Sequence, residues 1–150
     1  MDNGKYQVLY EKFPKIFNVT ANNPKMPFPM FGFECGDGWF HIIQTLCYQI
    51  QTHIDWHNSQ RERLLQDNPY NIEIPKEISQ VVVDQVKEKY GTLRFYYHGG
   101  DERIDGMVRM TEAMSETTCE ICGNLGHLRG GVWVYTACDQ HTRPEDLVDK

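Results

Sequence analysis

Residues 119–141 read CEICGNLGHLRGGVWVYTACDQH, and they decide the local fold because their cysteines and last histidine form two spaced pairs. Cys119 and Cys122 are separated by two residues, and Cys138 and His141 repeat this spacing after fifteen more. Each pair is typical of a turn that grips one side of a tetrahedral metal. We therefore predict a Zn²⁺ site, structural rather than catalytic, since four protein ligands leave no position for water.

The residues around these pairs predict a small zinc finger. Residues 127–129 and 132–136 flank a Gly-Gly pair, which favours a second β-hairpin. Thr142 and Glu145 have the spacing of a capping box, which predicts a short C-terminal helix beginning after the second ligand pair. This order of knuckle, hairpin and helix is typical of a treble-clef finger, here spanning residues 117–150.

A long amphipathic helix precedes the finger. Its apolar residues recur at steps of four, three, four and four, which is the period of one helix face: Trp39, Ile43, Leu46, Ile50 and Ile54. Asp37 is the predicted N-cap, and Gln66 is close to the predicted end. Residues 57–63 are almost wholly polar, so we expect this end to project or to contact a partner, which leaves room for self-association as a homo-oligomer.

Two β-rich runs follow, residues 81–89 and 92–98, joined by Tyr90 and Gly91; they predict the first hairpin. A second helix is expected over residues 102–115. Its predicted buried residues are Ile104, Met107, Val108, Thr111 and Met114.

Taken together, these elements predict an α+β fold: a long helix and a second helix packed on a β-hairpin, with the finger at the C-terminus. We expect two units, a body over residues 1–116 and the zinc finger over residues 117–150, packed on that body. The body includes an extended N-terminal segment predicted from Pro24, Pro27 and Pro29 and their apolar neighbours.

Composition excludes several classes of protein. The 150-residue chain has 21 acidic and 15 basic residues, and its net charge of −6 disfavours tight nucleic-acid binding. It has no run of apolar residues long enough for a membrane span, residues 1–5 are too polar for the start of a signal peptide, and its cysteines have zinc spacing. These observations predict a cytoplasmic protein without a membrane partner.

Basic and aromatic side chains alternate on one face of the first hairpin. Rings of this kind stack on a base while cations meet phosphate, so the face is a candidate ligand surface. The alternative is an ordinary half-exposed sheet face with solvated lysines. The candidate residues are Lys87, Lys89, Arg94, Tyr96 and His98, together with Trp39 at the start of the long helix.

The sequence gives little support for a catalytic site. His53 and His57 have the spacing of a zinc-protease helix, but Ile54 stands where its general base would be. Cys35 lacks a recognisable His-Asp or His-Asn pair, and the sequence has no Walker or dinucleotide-binding glycine motif. A hydrolase or nuclease using His53, Asp55 and His57 is therefore placed last, and we predict a protein that is not an enzyme.

Three motifs carry a resemblance to a family. Residues 32–39 read GFECGDGW, residues 86–96 read VKEKYGTLRFY and residues 118–123 read TCEICG. They resemble a family of short uncharacterised bacteriophage and prophage proteins, over roughly residues 30–141. The resemblance implies a small viral protein in the host cytoplasm with a C-terminal zinc finger, and it implies no activity.

Small accessory phage proteins without a catalytic signature commonly act by binding a host component. The first hypothesis is therefore a non-enzymatic inhibitor of a host defence component, which either sequesters a nucleotide signal or binds a host protein. The alternative is a zinc-finger protein that binds nucleic acid or modulates transcription, with Arg129 and Arg143 on phosphate.

Overall fold

The structure is a computed structural model that describes residues 1–18 and 32–147. In chain order the elements are α1 (Asn3–Lys12), β1 (Phe33–Glu34), α2 (Phe40–Gln66), β2 (Val82–Lys89), β3 (Thr92–His98), α3 (Glu102–Ser115), β4 (His127–Arg129) and β5 (Tyr135–Ala137). Single 3₁₀ turns cover Asp37–Trp39, Asp139–His141 and Pro144–Leu147. This is an α+β architecture with one long helix and two small sheets, as the sequence predicted.

The long helix α2 lies across the body with its predicted apolar face inward. Ile43, Leu46, Ile50 and Ile54 are all buried in one core cluster with residues of α1, β2, β3 and α3. Asp37 does not cap this helix, which corrects the prediction. It begins the preceding 3₁₀ turn, and its carboxylate accepts hydrogen bonds from the Asp2 N–H at 2.7 Å and the Lys5 ammonium at 3.0 Å.

The polar second half of α2 is partly covered by the chain that follows it. The Asn58 side chain makes two 2.9 Å hydrogen bonds to the backbone of Ile78, one to the N–H and one to the carbonyl oxygen. At the preceding residue, His57 Nε2 lies 2.8 Å from the Lys76 carbonyl oxygen. The connector between α2 and β2 is therefore held against the helix by polar side chains.

The larger sheet has the order β1-β2-β3, with β1 parallel to β2 and β2 antiparallel to β3. Tyr90 and Gly91 form the tight turn of the first hairpin, and both have positive φ, 54° and 79°. Val86 and Phe95 pair across the strands and face the core. The opposite face carries the predicted polar and aromatic side chains.

Other predictions need correction or fall outside the described chain. Most of the extended proline segment lies in residues 19–31, outside the described residues. Met114 of α3 was predicted to be buried but is 46% exposed. Ser115 is buried in its place, and its hydroxyl donates to the Glu112 carbonyl in the last turn of the helix. The capping box does not form. The Thr142 hydroxyl donates to the Cys138 carbonyl at 3.1 Å, and within the described residues, which end at Leu147, a single 3₁₀ turn, Pro144–Leu147, stands where a helix was expected.

Candidate metal centre and adjacent cleft

The four predicted ligands converge on one point. Cys119 and Cys122 lie on a knuckle, residues 118–126, which is closed by an isolated bridge between Thr118 and Leu125. Cys138 directly follows β5, and His141 ends the 3₁₀ turn after it. The short β4–β5 hairpin thus carries the second pair back to the first.

Distances within this metal cluster, Cys119, Cys122, Cys138 and His141, suit a shared ion. All four ligand atoms lie within 4.8 Å of one another. The Cys122 and Cys138 sulfurs are 3.7 Å apart, and His141 Nδ1 is 3.6 Å from Cys119 Sγ and 3.2 Å from Cys138 Sγ. Thiolates with imidazole are ligands for soft or borderline metals, so the residues fit such an ion.

Backbone N–H groups lower the pKa of one of the four ligands, the Cys119 thiol. Burial alone raises the pKa of Cys119, but N–H groups of Cys138, Cys122 and Ile121 donate to its sulfur and lower the pKa to about 6. The pKa of Cys122 is raised, since the Asn124 N–H, which lowers it, is outweighed by desolvation and by the neighbouring Cys119 and Cys138 sulfurs. Several thiolates in one place need a cation to offset their repulsion.

The knuckle is joined to the start of α2 by close backbone contacts. The Gly38 N–H donates to the Glu120 carbonyl at 2.7 Å, and the Gly36 N–H donates to the Glu120 carboxylate at 2.8 Å. The Trp39 indole N–H donates to the Thr118 carbonyl at 2.8 Å. Burial raises the pKa of Glu120, and the Gly36 hydrogen bond offsets part of that rise. Metal cluster and body therefore share one packed junction.

The second hairpin also contacts the turn of the first. The Thr136 hydroxyl donates to the Gly91 carbonyl at 2.7 Å, and both residues are buried. A Cβ on Gly91 would lie 2.7 Å from a Leu128 methyl carbon. These contacts place the loop of residues 130–134 opposite the outer face of the first hairpin.

A cleft of about 540 Å³ opens between that loop and the first hairpin. We call it the hairpin cleft, and its lining residues are Gln85, Lys87, Glu88, Lys89, Tyr90, Tyr96, Val132, Trp133 and Val134. It contains three of the predicted ligand-surface residues, Lys87, Lys89 and Tyr96. Sequence reasoning missed Tyr90 and Trp133. Trp133 was expected within a strand, but residues 130–134 form a loop and its side chain is 78% exposed.

The remaining predicted ligand-surface residues lie elsewhere. Trp39 is fully buried against the knuckle, which corrects its assignment to a binding surface. Arg94 is on the same sheet face as Lys87 but hydrogen bonds to the Thr92 hydroxyl and the Leu93 carbonyl, both at 2.7 Å, and does not line the cleft. His98 lies at the far end of β3, where its Nδ1 is 3.0 Å from Asp84.

The weaker catalytic candidates each have structural partners. His53 Nε2 lies 2.9 Å from the carboxylate of Asp101, the N-cap residue of α3, and His57 contacts the Lys76 carbonyl oxygen. Asp55 accepts a hydrogen bond from Gln51 at 2.9 Å. Cys35 is buried, and burial raises its pKa to about 12, which keeps it a protonated thiol at neutral pH.

The arginines of the alternative nucleic-acid hypothesis are also engaged. Arg129 donates to the Asp139 carboxylate at 2.5 Å and to the Ala137 carbonyl at 2.9 Å. The Arg143 guanidinium lies 4.2 Å from the centroid of the Tyr135 ring. Both side chains therefore already contact residues of the second hairpin or of the segment that follows it.

Comparisons with known proteins place no constraint on this site. No family model, curated protein or solved structure matches the chain. Among the described residues, every helix is too short or too polar to cross a bilayer.

Proposed function

We propose that the metal cluster binds Zn²⁺ and that its role is structural. Zn–S bonds of about 2.3 Å and Zn–N bonds of about 2.0 Å place tetrahedral ligand atoms about 3.5–3.8 Å apart. The 3.7 Å and 3.6 Å separations in the cluster support this ion, and the 3.2 Å between His141 Nδ1 and Cys138 Sγ is shorter than this range. With all four positions supplied by protein, the ion holds the chain together and presents no site for activating water.

We further propose that residues 117–147 are a reduced treble-clef finger. The knuckle, the β4–β5 hairpin and the ligand pair at a helical turn support this assignment. The one-turn 3₁₀ segments stand in place of the usual C-terminal helix, and packing of the knuckle on Gly36 and Gly38 supplies the support that such a helix would otherwise give.

The protein that these features support best is a non-enzymatic binding protein. The observation that carries the proposal is the hairpin cleft, whose two walls are the first hairpin and the loop of the β4–β5 hairpin, which leads into the metal cluster. Cationic and aromatic side chains there provide binding groups. His53 and His57, in contrast, contact Asp101 and the Lys76 carbonyl oxygen, and Cys35 is a buried, protonated thiol. A bound component would thus be retained without chemical change.

The resemblance to phage proteins extends this proposal to its target. We propose that the chain acts in the host cytoplasm and inhibits a host defence component, by sequestering a nucleotide signal or by binding a host protein. The hairpin cleft is the surface that this proposal assigns to either kind of component.

Native mass spectrometry of the full chain purified from bacterial cells tests the proposal. We expect one zinc per chain, plus either a retained small molecule or one dominant protein partner. A double variant, Lys87→Gln with Trp133→Leu, should lose that component, whereas Lys76→Gln with Trp56→Leu should keep it. Retention by the cleft variant, or conversion of the retained molecule on incubation, would overturn the proposal.

A further inference from the structure

The two walls of the hairpin cleft differ in chemistry. Lys87 and Lys89 lie on the outer face of β2, so both ammonium groups are on the strand side. The carboxylate of Glu88, also in the lining, accepts a hydrogen bond from the Gly91 N–H at 2.6 Å and is held in the turn. Glu34 pairs in register with Lys87, and its carboxylate accepts from Gln85 at 2.8 Å. Two cations thus face the cleft beside two carboxylates that are already hydrogen bonded, and the Lys89 ammonium lies 5.6 Å from the centroid of the Tyr90 ring.

Three aromatic side chains surround these cations with much of their surface in water. Tyr90 is 75% exposed, Tyr96 is 42% exposed and Trp133 is 78% exposed. Tyr90 and Tyr96 belong to the first hairpin, and Trp133 belongs to the opposite loop. Rings on both sides of an open cleft can enclose a planar group. Packing of the core does not explain why these rings are exposed.

Tyr90 is also held in a backbone conformation that its side chain disfavours. Its φ of 54° lies in the left-handed region, where the first position of such a hairpin turn usually has Asn, Asp or Gly. A tyrosine there costs stability, and its ring is not buried in return. Strained residues of this kind cluster at binding sites.

Size and charge narrow the class of ligand. A volume of about 540 Å³ is within the range of small-molecule and cofactor sites. The net charge of −6 opposes a long polyanion, whose affinity depends on many phosphate contacts. One or two phosphates, in contrast, need only the two lysines.

We propose, building on the binding function above, that the hairpin cleft is a site for a mononucleotide-sized ligand. Its base stacks between Trp133 and the tyrosines, and its phosphate is held by Lys87 and Lys89. Base stacking on aromatic rings tolerates every base, so recognition at this site rests on the presence of base and phosphate together.

Isothermal titration calorimetry on the full, zinc-loaded chain tests the assignment, with adenosine 5′-monophosphate and guanosine 5′-monophosphate as probes. We expect one site per chain for each nucleotide. Adenosine alone and inorganic phosphate alone should each bind about tenfold or more weakly, because each occupies only half of the cleft. Trp133→Leu and Lys87→Gln should each raise the nucleotide Kd about tenfold or more.

Matched variants outside the cleft separate recognition from folding. Trp56→Leu and Lys76→Gln remove an exposed ring and an exposed cation at other places and should leave the Kd within about twofold. Absence of binding by both nucleotides, or equal affinity in the cleft variants at unchanged melting temperature, overturns the nucleotide assignment. If a protein partner is still lost from the same cleft variants, the binding function stands and only the ligand class is wrong.

Discussion

Gly38 lies where the knuckle of the metal cluster meets the start of the long helix. A Cβ at this position would lie 2.1 Å from the Cys119 carbonyl oxygen and 2.5 Å from the Gly123 nitrogen. Both are backbone atoms and cannot rotate away. We expect Gly38→Ala to lower the free energy of unfolding by about 3 kcal/mol or more, measured by urea titration.

Gly131 provides the matched control, since a Cβ there meets no atom within 4 Å. Gly131→Ala should change the free energy of unfolding by less than about 0.5 kcal/mol. Equal effects of the two substitutions would show that the knuckle does not pack on the helix start as described.

Cys122 tests whether the cluster stabilises the protein through a metal. Cys122→Ser removes one thiolate, and we expect loss of the bound metal and a melting temperature lower by about 10 °C or more. Cys47 is buried in the core away from the cluster, so Cys47→Ala should lower stability yet keep one metal per chain. Metal content by elemental mass spectrometry, paired with thermal unfolding, separates these outcomes. A metal-free Cys122→Ser protein with an unchanged melting temperature would exclude a structural metal.

Among the secondary-structure elements, those with a local signal were predicted best from sequence. The period of α2, the Tyr90-Gly91 turn and the spacing of the metal ligands each depend on residues close together in the chain. The capping box had an equally clear local pattern, but Thr142 bonds to the Cys138 carbonyl instead. The Thr142 hydroxyl is therefore engaged in the turn that carries Cys138 and His141.

The hairpin cleft shows why the rest could not be predicted. Its walls come from residues 85–96 and 132–134, which are brought together by the Thr136–Gly91 hydrogen bond and the packing of Leu128. No sequence period relates these segments. The contact of Trp39 with the knuckle was missed for the same reason, because its partner, the Thr118 carbonyl, lies 79 positions away.

The turn of the first hairpin carries a prediction about stability and binding together. Tyr90→Asn places a residue that tolerates positive φ at the strained position, so we expect the free energy of unfolding to rise by about 0.5–1 kcal/mol. The same change should weaken mononucleotide binding in calorimetry. Tyr70→Asn, which removes a ring that is 85% exposed outside the cleft, should alter neither quantity. A lower free energy of unfolding in Tyr90→Asn would mean that the Tyr90 ring stabilises the fold by packing, and it would contradict a role in ligand binding.

For the molecule as a whole, the metal cluster, the helix start and the cleft form one connected system. The knuckle accepts hydrogen bonds from Gly38 and Trp39, and the second hairpin donates one to Gly91. The small cluster of buried residues around the ligands has few apolar members: Cys119, Tyr135, Ala137 and Cys138. So small a core cannot offset the entropy of ordering the segment without a metal.

Chelation should therefore act beyond the ligands themselves. On treatment with a strong chelator, we expect fast amide exchange over at least residues 117–145, together with lost protection at Gly36 and Gly38, whose N–H groups donate to Glu120 in the knuckle. The middle of α2 and the first hairpin should keep their protection, because Ile43, Ile50 and Val86 belong to the larger core. Hydrogen exchange with mass spectrometry measures all of these regions at once.

Mononucleotide binding should be lost as exchange over residues 130–134 becomes fast, since that loop is one wall of the cleft. Added zinc should restore both the binding and the slow exchange. Unchanged exchange over residues 117–145 in metal-free protein would mean that this segment folds by packing alone, and the link between metal and cleft would be wrong.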